Sequence, residues 1–242
     1  MCARVAVVSD LHGNLVALEA VVADLRQTAP DLILHGGDLA TVGPRPAEVI
    51  DRVRELGWPG VVGNTDELLW RPETKTGVVA AAPKLAPWLD TLFGTLGPWA
   101  AERVGPERLA WLRELPAERA EDGLRLVHAS PGDLWKAPMP DAAPADLART
   151  YGPLGGDVAV YGHIHRPFVT ETDAFTVANS GSAGFPWDGD VRASYLLVTD
   201  GVPEVRRVPY DIEAAGRDAH DAGFPFPDWL GGVYRSATFT RP

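Results

Sequence analysis

A chain of 242 residues, 45% hydrophobic and 23% charged, is long enough for one large domain and too apolar to stay unfolded. Its 33 acidic residues against 22 basic ones give a formal net charge of −11, which argues against non-specific binding to long nucleic acid. The single cysteine, Cys2, excludes an internal disulfide and points to a reducing, cytoplasmic setting; no signal peptide and no run approaching about 18 apolar residues suggests a membrane.

Arg4 to Ser9 (RVAVVS) is a β-branched run too short for a helix. Asn14 then caps a predicted helix whose Leu15, Leu18, Val21, Val22 and Leu25 recur at helical spacing. Asp31 to His35 (DLILH) is a second strand, ended by Gly36-Gly37, and Pro46 opens a helix to about Leu56. Gly60 to Gly63 makes a third short strand. This β-α-β-α-β rhythm implies parallel strands with ligand residues gathered at their ends. From Trp70 to Arg119 the pattern is helical but broken by Pro72, Pro83, Pro87, Pro98 and Pro106, with Trp88, Trp99 and Trp111 among them. Strands resume at Leu124 to Val127 (LRLV) and Asp157 to Tyr161 (DVAVY), and Phe168 to Val208 predicts an antiparallel meander of three or four strands. The tail from Asp211 holds one short helix and a Pro/Gly-rich end. Together these elements predict an α/β fold: a four-layer α/β/β/α sandwich of two mixed sheets flanked by helices. It forms a single domain over 1–242, with a helical cap insertion at 70–119 and a C-terminal extension at 209–242.

Five polar clusters follow predicted strands. Asp10 and His12 stand two apart in Ser9-Asp10-Leu11-His12-Gly13, where a turn lets both face one cation. Asp38 follows Gly36-Gly37, and Asn64 follows Gly63, offering a neutral hard oxygen where another carboxylate would overcharge a site. His128 ends the LRLV strand. His163 and His165 follow DVAVY; at i and i+2 in extended chain they would point apart, so a turn must bring both inward. Taken singly, each has an ordinary explanation as a turn, an N-cap or a core histidine. Together they are seven oxygen and imidazole ligands without a thiolate, a set suited to two divalent ions sharing one carboxylate. Mn comes first, with Fe, Zn, Co or Ni as alternatives.

The ordered series D-x-H, G-D, G-N-x-D, H-x-x-P and G-H-x-H, with Asn179 to Ser182 (NSGS) after it, resembles the calcineurin-like metallophosphoesterase family to about residue 208. The S-D-L-H-G-N opening is most similar to its small bacterial and archaeal members, among them phosphodiesterases and phosphatases. The resemblance implies Asp10, His12, Asp38 and His165 at one metal and Asp38, Asn64, His128 and His163 at the second. It also implies attack on phosphorus by a hydroxide bridging the two ions, with no phosphoenzyme.

Many family members carry a histidine directly after the motif asparagine; here Thr65 stands there, followed by Asp66. Loss of a general acid hurts poor leaving groups most, which favours phosphodiesters or nucleotide phosphoanhydrides over alkyl phosphomonoesters. A phosphomonoesterase or protein phosphatase with the same site is the alternative, and a weakly catalytic scaffold is the third reading. Asp66, counted here with the catalytic residues, either orients the site or caps a helix. Arg45 and Arg166 are candidates to hold phosphate oxygens, and Trp70, Trp135 and Trp187 to stack a flat group such as a nucleobase. The expected partner is a small phosphorylated substrate, with no membrane. The 70–119 segment covers the cleft or forms a homodimer contact.

Overall fold

The computed structural model describes residues 4–242, so Cys2 lies outside the described residues. β1 (Arg4–Val8) is buried on both faces and pairs in parallel with β2 (Leu32–His35). Between them runs α1 (Leu15–Thr28), capped by the Asn14 side chain, which accepts from the Ala17 N–H at 3.0 Å. Its Leu18, Val21, Val22 and Leu25 are buried, as their spacing required. α2 (Pro46–Leu56) starts on proline and closes on Gly57 with φ 66°, the usual asymmetry of helix ends.

The sequence placed a third strand at Gly60 to Gly63, but only a single parallel bridge forms there, between His35 and Gly60. Val61 donates to His35, whereas the Val62 N–H turns to Pro116, so the ladder ends after one step. α3 (Asn64–Glu67) follows at once.

The proline-broken region resolves into α4 (Lys75–Ala81), α5 (Ala86–Thr91), a π-helical stretch over Leu92–Leu96 and α6 (Gly97–Arg113). Pro87 and Pro98 sit in first turns, where no amide hydrogen is missed. Gly105, at φ 70° and ψ 170°, breaks α6 before Pro106. The two ends of this region pack differently. Val104 and Leu112 join α1 and α2 against the first sheet, whereas Trp88, Leu89, Leu92 and Leu96 join the C-terminal helices.

The second sheet has the order β3-β4-β5-β7-β6, built from β3 (Glu118–Glu121), β4 (Leu124–Val127), β5 (Val158–Tyr161), β6 (Phe168–Glu171) and β7 (Thr176–Asn179). The first sheet is completed by β8 (Ala193–Thr199) and β9 (Val202–Val208), in the order β2-β1-β8-β9. The expected single meander over 168–208 is therefore two hairpins in different sheets. β6–β7 closes the second sheet and β8–β9 the first, because β7 pairs in parallel with β5 while β8 pairs antiparallel with β1. Both sheets are mixed. Val5, Val7, Leu34, Leu126, Val160 and Leu196 fill the space between them. α7 (Pro144–Tyr151) covers the outer face of the second sheet through Leu147 and Tyr151, and the layers run α/β/β/α.

The tail holds two helices rather than one, α8 (Ile212–Asp221) and α9 (Pro227–Ser236), packed on the α5 side through Ala215, Leu230 and Tyr234. No helix among the described residues is long and apolar enough to cross a membrane.

Leu126 is fully buried between the sheets, so Leu126→Ala should lower the unfolding free energy by about 2–5 kcal/mol, measured by denaturant titration. Val202, 68% exposed, serves as the control, and its alanine variant should change stability by no more than about 0.5 kcal/mol.

Candidate metal centre

The loops that leave β1 and β2 continue their strand pairing into the turns. Asp10 donates its N–H to Gly37 (3.0 Å), His12 to Asp38 (2.9 Å) and Gly13 to Leu39 (2.8 Å). On the other flank Ala183 and Gly184 donate to Ser9 and Asp10, both at 3.0 Å, and Gly162 donates to His128 at 2.9 Å. This lattice of main-chain bonds draws the ends of both sheets together. The glycines in the motifs are there for contact. A Cβ on Gly63 would lie 2.1 Å from Asp38 Oδ1, and one on Gly162 would lie 2.3 Å from Asp10 Oδ2.

Asp10, His12, Asp38, His163 and His165 all have φ between 46° and 65°, in the left-handed region. They make up half of the ten non-glycine residues with positive φ among those described. That conformation solves the problem posed by the i, i+2 pairs: a left-handed residue at each position curls the chain so that both side chains face one side. Such residues cost on the order of 1–3 kcal/mol each and persist where the surroundings enforce them.

One ligand atom from each of Asp10, His12, Asp38 and His165 lies within 4.8 Å of every other. His12 Nδ1 is 2.6 Å from the Thr41 carbonyl, His165 Nδ1 is 2.5 Å from that of Phe185, and His128 Nδ1 is 2.8 Å from that of Gly36. A carbonyl only accepts, so the three Nδ1 atoms carry the hydrogens and the three Nε2 lone pairs point inward. His12 Nε2 and His165 Nε2 then face each other at 3.1 Å. His128 Nε2 likewise faces Asn64 Oδ1 at 2.8 Å, and His163 Nδ1 lies 2.9 Å from the same oxygen. Acceptors facing acceptors repel unless a cation stands among them, and hard oxygen plus imidazole is the donor set of a divalent metal. The residues fit one.

Their electrostatics agree. Asp10 and Asp38 are buried, and loss of water pushes each carboxyl up to about 6. The same burial pushes His12 down to about 3 and His165 down to about 4, so both rings are neutral and free to donate a lone pair at neutral pH.

A family model for the calcineurin-like phosphoesterase superfamily domain matches residues 3–200. The chain belongs to this superfamily. It is a metal-dependent phosphoesterase, a hydrolase of phosphoric ester bonds. An uncharacterized protein of Methanocaldococcus jannaschii is 30% identical to it over 255 residues, covering 94% of this chain and 95% of that protein. Of solved structures, a metallophosphoesterase from Sphaerobacter thermophilus is 25% identical with a TM-score of 0.79, covering 98% of this chain and all 100% of that one. A hypothetical protein from Pyrococcus horikoshii shares the fold at 21% identity and a TM-score of 0.81, covering 98% of this chain and 100% of that one.

Around this phosphoesterase centre the other expected residues sort by position. Arg166, Trp135 and Trp187 line the cavity that opens from the metal-facing side chains. Arg45 does not. Its guanidinium is paired with Asp218 on α8, with Nε 2.8 Å from Oδ1, and helix packing rather than phosphate holds it. Trp70 is also absent from the cavity and packs with the helices over the first sheet. Asp66 spends both oxygens on main-chain amides: Oδ1 accepts from Leu39 (3.0 Å) and Ala40 (3.3 Å), Oδ2 from Gly63 (3.2 Å). It is thus the cap at the start of α3 and a tie on the loop after Asp38; these bonds reach neither Asn64 nor a histidine, and it does not line the cavity as a catalytic residue would. Burial, with the Asp38 charge beside it, pushes its carboxyl up to about 7. Sequence reading missed Ser9 and Ser182, which donate to Asp10 Oδ2 (2.6 Å) and to the Asp10 carbonyl (2.7 Å), and Phe185, whose carbonyl holds His165. Serines beside a metal-facing aspartate carry no signal in a single sequence.

A divalent ion must displace the protons of Asp10 and Asp38, whereas the two depressed histidines hold none above about pH 4. Metal affinity should therefore stay level at alkaline pH and fall below about pH 6, by up to tenfold per unit for each carboxyl, measured by calorimetric Mn²⁺ titration.

Proposed function

We propose that the protein is a dinuclear hydrolase that cleaves phosphodiester or nucleotide phosphoanhydride bonds by direct attack on phosphorus. Asp38 carries this proposal. Its Oδ1 accepts from the Thr65 N–H at 2.8 Å, which turns Oδ2 toward the cluster. There Oδ2 lies 3.6 Å from His12 Nε2 and 3.6 Å from His128 Nε2, midway between two sets of donors, as a shared carboxylate oxygen would. Asp10, His12 and His165 complete one set with Asp38; Asn64, His128 and His163 complete the other. Divalent ions held by these residues would supply an activated water as nucleophile and positive charge against the phosphoryl oxygens. Manganese suits a set with no thiolate, and Fe, Zn, Co and Ni share that preference.

The chain's own residues orient this machinery. Each of three imidazoles is pinned through Nδ1 to a main-chain carbonyl, so ring direction and tautomer are set before any ion arrives. Ser9 and Ser182, the hydroxyls nearest Asp10, already donate to it, which favours water over a serine nucleophile. Thr65 lines the cavity where a histidine would serve as acid. A hydroxyl is too weak an acid to protonate a leaving group, which favours esters and anhydrides that depart unassisted. Arg166 is the cationic side chain in the described cavity lining, placed to hold a phosphoryl oxygen of a small substrate.

The protein stripped of metal and reloaded with Mn²⁺ should hydrolyse bis(p-nitrophenyl) phosphate faster than p-nitrophenyl phosphate. Asp38→Asn and His128→Ala should each lower turnover by at least about 10²-fold. Dominant monoester turnover would replace the substrate assignment, and a folded protein that binds two ions without turnover would favour the scaffold. Arg166→Ala should raise KM for the diester several-fold. Arg45→Ala, held away from the cavity by Asp218, should leave KM unchanged.

A further inference from the structure

The cavity over the metal-facing residues has a volume of about 320 Å³, at the small end of the about 300–1,000 Å³ usual for small-molecule sites. Its floor is polar and its walls are not. Trp88 and Leu92 come from the helical insertion, Trp135 from the loop after β4, Phe185 and Trp187 from the crossover between the sheets, and Phe239 from the C-terminal segment. Phe239 stands edge-on to Trp88 at 5.4 Å and lies 4.8 Å from Trp187, closing the wall between them. It is held there from both sides: Trp229 Nε1 donates to the Thr240 carbonyl (3.1 Å), and Arg241 to that of Lys84 (3.2 Å). Of the four large apolar side chains exposed among the described residues, Leu85 (41%) and Met139 (43%) both belong to this cavity. An apolar rim leads into an apolar wall.

Above the metal-facing side chains the polar groups in the wall are few: the Thr65 hydroxyl, Arg166 and the indoles of Trp88, Trp135 and Trp187. Trp135 Nε1, Trp187 Nε1 and Thr65 Oγ1 are all buried without a hydrogen-bond partner. These three atoms are sealed within the wall rather than open to the cavity. Apart from the Thr65 hydroxyl, the described side chains that line the cavity above the metal-facing residues are apolar, aromatic or cationic. A nucleoside seated there would find few side-chain partners for its ribose hydroxyls.

We infer that the substrate carries one compact apolar group of about ring size on its phosphoester, seated against Trp88, Trp187 and Phe239, and that this wall favours such a group over a nucleoside. This rests on the phosphoesterase assignment and narrows it to diesters with an apolar alcohol portion. The phosphoryl group lies on the metal floor. Arg166, the cationic side chain of the described lining, holds one of its oxygens.

The test is calorimetric binding to the Mn²⁺-loaded protein of three non-hydrolysed probes: phenylphosphonate, methylphosphonate and the 5′-methylenephosphonate analogue of thymidine 5′-monophosphate. Phenylphosphonate should bind at least about tenfold more tightly than either of the others, since only its ring fills the wall. Phe239→Ala, and separately Leu85→Asp at the solvent-facing rim, should each lower the phenyl-to-methyl affinity ratio at least about threefold. Equal affinities for phenylphosphonate and methylphosphonate, tighter binding of the nucleotide analogue, or a ratio unmoved in both variants would overturn the inference. Diester turnover alongside equal phosphonate affinities would reject the apolar subsite and leave the hydrolase standing. A phenyl preference in a protein without turnover would uphold the subsite and reject the hydrolase.

Discussion

Lone pairs and carboxylate oxygens of buried side chains converge in this molecule on one small volume, and a cation is what lets them share it. His12 and His165 face each other through Nε2 at 3.1 Å, and Asp10 Oδ1 lies 3.2 Å from the same His165 nitrogen. In water such groups would turn away from one another. Here the Nδ1 side of each ring is tied to a carbonyl, and Asp38 is tied by Thr65, so none of them can turn. The repulsion is built in during folding and relieved on metal binding, which makes metal affinity a part of folding stability.

The rest of the architecture keeps that arrangement from relaxing. Five left-handed residues in one site, each at a conformational cost, need a rigid surround. The main-chain bonds that extend β1 into the Asp10 and Asp38 loops provide it, together with Asp66, whose carboxylate gathers the amides of Leu39, Ala40 and Gly63. Two sheets packed face to face give those loops a common base, and the Asn179 to Ser182 crossover bridges them. Asn179 donates to the Gly162 carbonyl at 2.6 Å and Ser182 to that of Asp10 at 2.7 Å. The aromatic roof of Trp88, Phe185, Trp187 and Phe239 shields the centre from solvent, and charges in such a site interact more strongly than they would in water.

Much of this was legible in the chain because it is local. A β-branched run ended by D-x-H-G, or an apolar strand ended by G-G-D, states both an element and the ligand at its end, since a parallel strand delivers its C-terminal residue to the ligand-binding edge. The seven candidate ligands were all readable in this way, and the structure brings them into one cluster. What misled was equally local. Arg45 stands near a motif in sequence, yet the nearest carboxylate in space belongs to Asp218, far along the chain. Gly60 to Gly63 looked like a strand, but after Val61 bonds to β2 the Val62 amide finds Pro116 instead. The run over 168–208 had the alternation of a meander, and alternation carries no information on which sheet a hairpin joins.

Residue order by itself determined the family, the donor set and the α/β rhythm, because spacing along a strand, a cap or a turn is fixed by covalent geometry. Tertiary structure alone decided what lies above the metal centre. Phe239 and Trp88 meet because the C-terminal helices pack against α5, and that packing buries the Trp135 and Trp187 indole N–H groups without partners. Contacts between residues so far apart in the chain depend on how the helices pack, and apolar packing is non-directional, so single-sequence patterns carry no trace of it.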